Sequence, residues 1–119
     1  MRVLILSGLF LAAVATAALS AATPSHDGLW TVEGTTDVGP CSKTFAGEVK
    51  VQNNDIVEAS GGVAQAIGSI DNSGAVWARL TADIGMARGS GRVHGATASG
   101  AWSSNTAYCG GRWNAKRKG

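Results

Sequence analysis

Residues 23–119, the part left once an apolar leader is set aside, hold 8 Val and 4 Ile against 2 Leu, with 16 Gly and 4 Trp, in a chain of 119 residues. That bias excludes a helical bundle. Large apolar residues number only 21 of those 97 and the net charge of the stretch is +1, so the core is thin and a further source of stability is needed.

In chain order, Met1-Arg2, the apolar run Val3 to Leu19 and the small residues Ser20-Ala21-Ala22 read as a Sec-type signal peptide over residues 1–22. The run barely reaches the roughly 18 residues of a membrane span and ends in a small-residue cleavage site. Residues 23–119 are then a single all-β domain in an oxidising compartment, periplasmic or extracellular. Thr23 to Asp27, with Pro24, reads as a frayed lead-in, and Leu29 to Thr36 as the first strand. Phe45, Gly47, Val49 and Val51 alternate with Thr44, Glu48, Lys50 and Gln52, the pattern of a half-buried antiparallel strand. Asn53-Asn54-Asp55 tolerates positive φ and closes a hairpin onto Ile56 to Ala59. Val63 to Asp71 is ambiguous: Ala64 to Ile67 fits one helical turn, while Gly68 and Ile70 favour strand.

Asp71-Asn72-Ser73-Gly74 is the second strong turn, followed by Ala75 to Ala82 with Val76, Ala78 and Leu80 on one face and Trp77, Arg79 and Thr81 on the other. Asp83-Ile84-Gly85 is the next turn. Met86 to His94, Ala96 to Ser103 and Cys109 to Lys116 complete eight short strands, a meander that forms a small barrel or a sandwich. Cys41 and Cys109, the only two cysteines, are expected to pair. A bridge across 68 residues is worth about 4 kcal/mol by chain entropy, which supplies the missing stability.

Gly-x-Trp recurs as Gly28/Trp30, Gly100/Trp102 and Gly111/Trp113. Each Gly shares a strand face with its Trp and leaves room for the indole, a structural role. Trp77 lacks such a glycine. If Val76 and Leu80 face the core, Trp77 and Arg79 point outward, the signature of a binding surface; in the reversed register Trp77 is core. Charge is uneven along the chain. Residues 23–83 set Lys43, Lys50 and Arg79 against eight acids, whereas residues 84–119 hold Arg88, Arg92, Arg112, Lys116, Arg117 and Lys118 and no acid. Trp77, Arg79, Arg88, Arg92 and Arg112 are therefore the candidate binding residues, for an unidentified protein or an anionic surface ligand. Basic strands that face acidic ones are the alternative explanation.

Catalysis finds little support. Ser90, His94 and Asp83 are triad residue types without a motif, and Gly89-Ser90-Gly91 and Gly110-Gly111 read as bulges or turns rather than phosphate loops. His26 and His94 lack metal-ligand spacing, and His94, Met86 and Tyr108 lack an arrangement that selects haem. No metal or cofactor is expected.

The pattern Asp27, Gly28, Trp30, Cys41, Gly100, Trp102, Cys109, Gly111, Trp113, Ala115, Arg117 resembles that of small, uncharacterised exported proteins of alphaproteobacteria, some labelled haem-utilisation or adhesion exoprotein. The resemblance implies no established activity. Gly28-x-Trp30 is also similar to the first-strand signature of lipocalin-like barrels, and the single bridge to small periplasmic protease-inhibitor barrels. The expected function is that of a non-enzymatic, monomeric binding or envelope-associated module, without nucleic acid as partner and without a transmembrane segment after cleavage. Inhibition of a periplasmic or secreted protease and carriage of a small apolar ligand, haem among the candidates, are the alternatives.

Overall fold

The computed structural model describes residues 25–63, 65–82 and 85–118. The predicted signal peptide, Thr23-Pro24 and the Asp83-Ile84 part of the predicted turn lie outside them. Eight strands follow in chain order: β1 (Gly28–Val38), β2 (Thr44–Gln52), β3 (Asp55–Gly61), β4 (Gln65–Ile70), β5 (Ala75–Ala82), β6 (Gly85–His94), β7 (Thr97–Ser104) and β8 (Cys109–Arg117). Each pairs antiparallel with the next, and β8 returns to β1, so the meander closes as a barrel. Closure removes both sheet edges, which a sandwich would leave open. The ambiguous stretch is resolved as strand: Gln65 to Ile70 pairs along its length with β5.

Local chemistry sets the reversals. Asn53 and Asn54 adopt φ of 55° and 62°, the left-handed pair of a tight hairpin. At the second turn Asp71 Oδ1 accepts the N–H groups of Ser73 (2.8 Å) and Ala75 (3.0 Å), while Gly74 takes φ 91°. The lead-in is not frayed over its described residues. The Asp27 carboxylate accepts the N–H groups of Asn54 (2.8 Å) and Asn53 (2.9 Å), and the His26 N–H donates to Asn54 Oδ1 at 2.9 Å. His26 is buried, and its carbonyl accepts the Trp30 indole N–H at 2.9 Å. The sequence pattern hides this docking because Ser25 to Asp27 forms no strand and its partners are a turn met 26 or more residues later.

Both aspartates hold their carboxyls below the usual carboxylate value, Asp27 chiefly through the Asn54 and Asn53 N–H groups, Asp71 chiefly through the Ser73 hydroxyl and the Ala75 N–H. A depressed folded-state pKa contributes stability above the unfolded value and loses it as pH falls through the folded one. Asp27→Asn and Asp71→Asn, which mimic the protonated acid, are expected to lower the melting temperature near neutral pH and to converge on the wild type as pH falls below the usual carboxylate range. Thermal melts across that range check it, and a constant gap would contradict it.

Inward positions follow the predicted alternation. Trp30, Val49, Val51, Ile56, Val63, Ile70 and Val93 form the main core, with Ala66, Ala78, Ala98 and Ala115 between them. A second cluster of Ala87, Trp102 and Cys109 packs with Phe45, Leu80 and Trp113. The recess for the Trp113 indole comes from Gly89 and Gly91 on β6 rather than from the glycine two residues earlier, and Gly34 makes room for the Phe45 ring. Trp102 stands opposite Gly89 and Gly111, and Trp113 opposite Gly34 and Gly100. Gly89-Ser90-Gly91 is neither bulge nor turn: it pairs regularly inside β6, and a Cβ at Gly91 would come within 2.7 Å of the Trp113 ring. The irregularity beside Gly110-Gly111 belongs to β1, between Thr36 and Val38.

Cys41 and Cys109 form the expected disulfide, with Cα atoms 6.1 Å apart. It ties the loop between β1 and β2 to the start of β8. No helix among the described residues is long and apolar enough to cross a membrane. Charged side chains outside and apolar ones inside are the reverse of a membrane-spanning barrel.

Candidate functional site

Because Ala78 is buried and Val76 and Leu80 are partly buried against the core, the period of two turns Trp77, Arg79 and Thr81 outward on β5. Trp77 is 50% exposed, the large aromatic ring most open on any strand of the barrel. Across the sheet, Trp77 lies opposite Ser90 and Arg79 opposite Arg88 on β6; Ser90 and Arg88 in turn face Ala101 and Ser103 on β7. These small side chains leave an open groove of about 520 Å³ bordered by Trp77, Arg79 and Arg88. It continues past Met86 toward Asn105 and Thr106 at the β7–β8 turn. Ile67 on β4, also exposed, stands opposite Arg79 on the other side.

The order of strands turns the uneven charge of the sequence into two sides of one barrel. β1 to β3 carry Glu33, Asp37, Glu48, Asp55 and Glu58; β4 to β8 carry no acid and hold Arg79, Arg88, Arg92, Arg112, Lys116 and Arg117. The sides meet where β8 closes on β1. There Arg112 pairs with Asp37 at 2.9 Å and Lys118 with Glu48 at 2.6 Å. Asp37, by hydrogen bond and by charge, raises the pKa of the Arg112 guanidinium further. Arg92 donates to the Ser73 carbonyl at 2.9 Å, and Arg117 lies 5.1 Å over the Trp30 ring and donates to the Ser25 carbonyl.

Of the five candidates, the fold therefore brings Trp77, Arg79 and Arg88 together and commits Arg92 and Arg112 to the chain's own oxygens. Arg79 and Arg88 make no ion pair among the described residues. Ser90, Ala101 and Ser103, the floor of the groove, are additions from the structure. Their outward direction follows from strand alternation, but their meeting depends on register across three strands.

Other candidates do not assemble. Ser90 and His94 are four residues apart on one strand, about 13 Å, and Asp83 lies outside the described residues. Met86 and Tyr108 sit at the end of the barrel opposite to His94. The interior holds an apolar cavity of about 80 Å³ lined by Trp30, Ile70, Trp102 and Trp113 among others. A wider concavity at the end closed by His26 draws on Arg117, whose guanidinium lies over Trp30 and donates from one terminal nitrogen to the Ser25 carbonyl, while its Nε and the His26 Nε2 are buried without a partner among the described residues. No protein-family model and no curated protein sequence matches the chain.

Proposed function

We propose that this chain is an exported, non-enzymatic binding module that engages an anionic partner at the cell envelope through the outer face of β5 to β7. The observation that carries this reading is Trp77, half exposed beside Arg79 and Arg88, which have no acidic partner among the described residues. A desolvated indole next to guanidinium groups is the kind of anchor that dominates binding energy. The cavity of about 80 Å³ and the adjoining one of about 160 Å³ beside Phe45, Val63 and Leu80 favour a surface partner over carriage, since pockets for haem-sized ligands run to several hundred cubic ångströms. The disulfide favours an oxidising compartment, the periplasm or the medium.

Protease inhibition is the second reading. It is favoured by the loop of residues 39–43, which Cys41 ties to Cys109 and which Thr36 holds by bonds to the Lys43 and Ser42 carbonyls. Beside it Val38 and Tyr108 are 65% and 80% exposed. Such a braced, apolar-flanked loop has little ordering entropy left to lose on entering an active site.

Co-sedimentation of the mature protein with envelopes of its source cell tests the first reading. Trp77→Ala combined with Arg79→Gln is expected to weaken retention roughly tenfold or more, with unchanged far-UV circular dichroism. Tyr108→Ala, outside the groove, leaves retention intact. Undiminished retention of the double variant overturns the surface reading, and loss in Tyr108→Ala moves the partner to the disulfide-braced rim.

A further inference from the structure

We infer that the groove takes an acidic polysaccharide, with Trp77 as the platform for a sugar ring and Arg79 with Arg88 as the clamp for that sugar's carboxylate or sulfate. This rests on the surface reading above and narrows it to a ligand class.

The clamp follows from register. Arg79 and Arg88 stand directly opposite one another on adjacent strands. Like charges so placed destabilise an antiparallel pair. Elsewhere on this side, Lys116 apart, the chain relieves its cations: Arg92 with the Ser73 carbonyl, Arg112 with Asp37, Arg117 with the Ser25 carbonyl, Lys118 with Glu48. The one cross-strand arginine pair is left without an oxygen among the described residues, at the edge of a groove. An oxyanion between the two planar forks accepts from both and removes the repulsion.

The platform follows from the pleat. Trp77 is two residues before Arg79 on the same face, about 7 Å along β5. A ring stacked on the indole presents its charged substituent one such step away, at the clamp. Ser90 and Ser103 place hydroxyl groups on the floor, and Asn105 and Thr106 extend the polar track. Two free arginines are few for a phosphodiester backbone, which needs a groove of positive charge along its whole track.

The test is titration of the mature protein at low salt, followed by tryptophan fluorescence and thermal melts. The probes are polygalacturonate, dextran sulfate, neutral dextran, polyglutamate, a thymidine oligonucleotide and phosphatidylglycerol vesicles. Polygalacturonate or dextran sulfate is expected to shift the emission and raise the melting temperature, and dextran to do neither. Trp77→Ala weakens that binding about tenfold, whereas Trp77→Phe keeps most of it. Arg79→Gln weakens it as much and raises the melting temperature of the free protein by about 1–5 °C, because the repulsion is gone. Polyglutamate equal to polygalacturonate, with Trp77→Ala silent, overturns the sugar platform and leaves the anionic surface standing. Tighter binding of vesicles or oligonucleotide overturns the polysaccharide assignment in favour of that partner. Absence of binding to every anion overturns the inference alone if the Trp77→Ala, Arg79→Gln variant still loses envelope retention, and overturns both readings if it does not.

Discussion

Replacing Trp102 by Ala is expected to lower stability by about 3–5 kcal/mol. The indole is 4% exposed, donates its N–H to the Thr35 carbonyl at 3.0 Å and meets the edge of Phe45 with ring centroids 5.5 Å apart at 81°. Its neighbours across the strands are Gly89 and Gly111, which have no side chain to move into the space. The cavity left behind therefore stays open, and that residual volume is what makes a large-to-small change expensive. A domain of this length is stable by about 5–15 kcal/mol, so the loss removes a large share of the total. Urea unfolding should show the midpoint falling with the slope little changed. Trp102→Phe keeps the ring contact and loses only the bond to Thr35, about 0.5–1.5 kcal/mol plus a smaller packing loss. An Ala variant within about 1 kcal/mol of wild type would show that β6 to β8 collapse to fill the void.

Reduction of the Cys41–Cys109 bridge is the second large effect. The bond closes a loop with a sequence separation of 68. The chain-entropy relation gives about 4 kcal/mol for such a loop, an upper figure because reduced chains retain some structure. The bridge also joins two different parts of the fold. Cys109 is 5% exposed in the Trp102 cluster, whereas Cys41 sits in the loop between β1 and β2. Reduction by dithiothreitol removes the cross-link and keeps both side chains, so it separates the entropic effect from the packing change of Cys→Ala. The urea midpoint should fall by the equivalent of about 2–4 kcal/mol, with the barrel's strand circular dichroism retained in water. A shift below about 1 kcal/mol would mean that closure of β8 on β1 already restrains these segments.

Strand positions were readable because their causes are local. Thr44 to Gln52 alternates cleanly, Asn53-Asn54 and Asp71 to Gly74 carry the residues their turns require, and the predicted strand ends fall within two residues of the observed ones there. The face of Trp77 was harder, since Val76 and Leu80 on one side and Trp77 on the other are all apolar. Burial of Ala78 between them settles it. Over Val63 to Asp71 one helical turn competes with strand until β5 offers a partner to every residue from Gln65 to Ile70.

Composition and alternation were enough for the fold class, the eight strands and the pairing of the only two cysteines, because each depends on neighbours a few residues away or on a count, whereas the outward face of β5 was decided only by the burial of Ala78. The closed barrel, the glycine recess under Trp113, the docked His26 and Asp27, and the separation, among the described residues, of paired from unpaired arginines depend on how the strands are arranged around the barrel. β1 meets β8 across the full length of the domain, and that single long-range pairing places Asp37 on Arg112 while Arg79 and Arg88, on the far strands, have no acidic partner among the described residues. A linear pattern carries no record of such register, since it is set by the sum of side-chain packing over all eight strands.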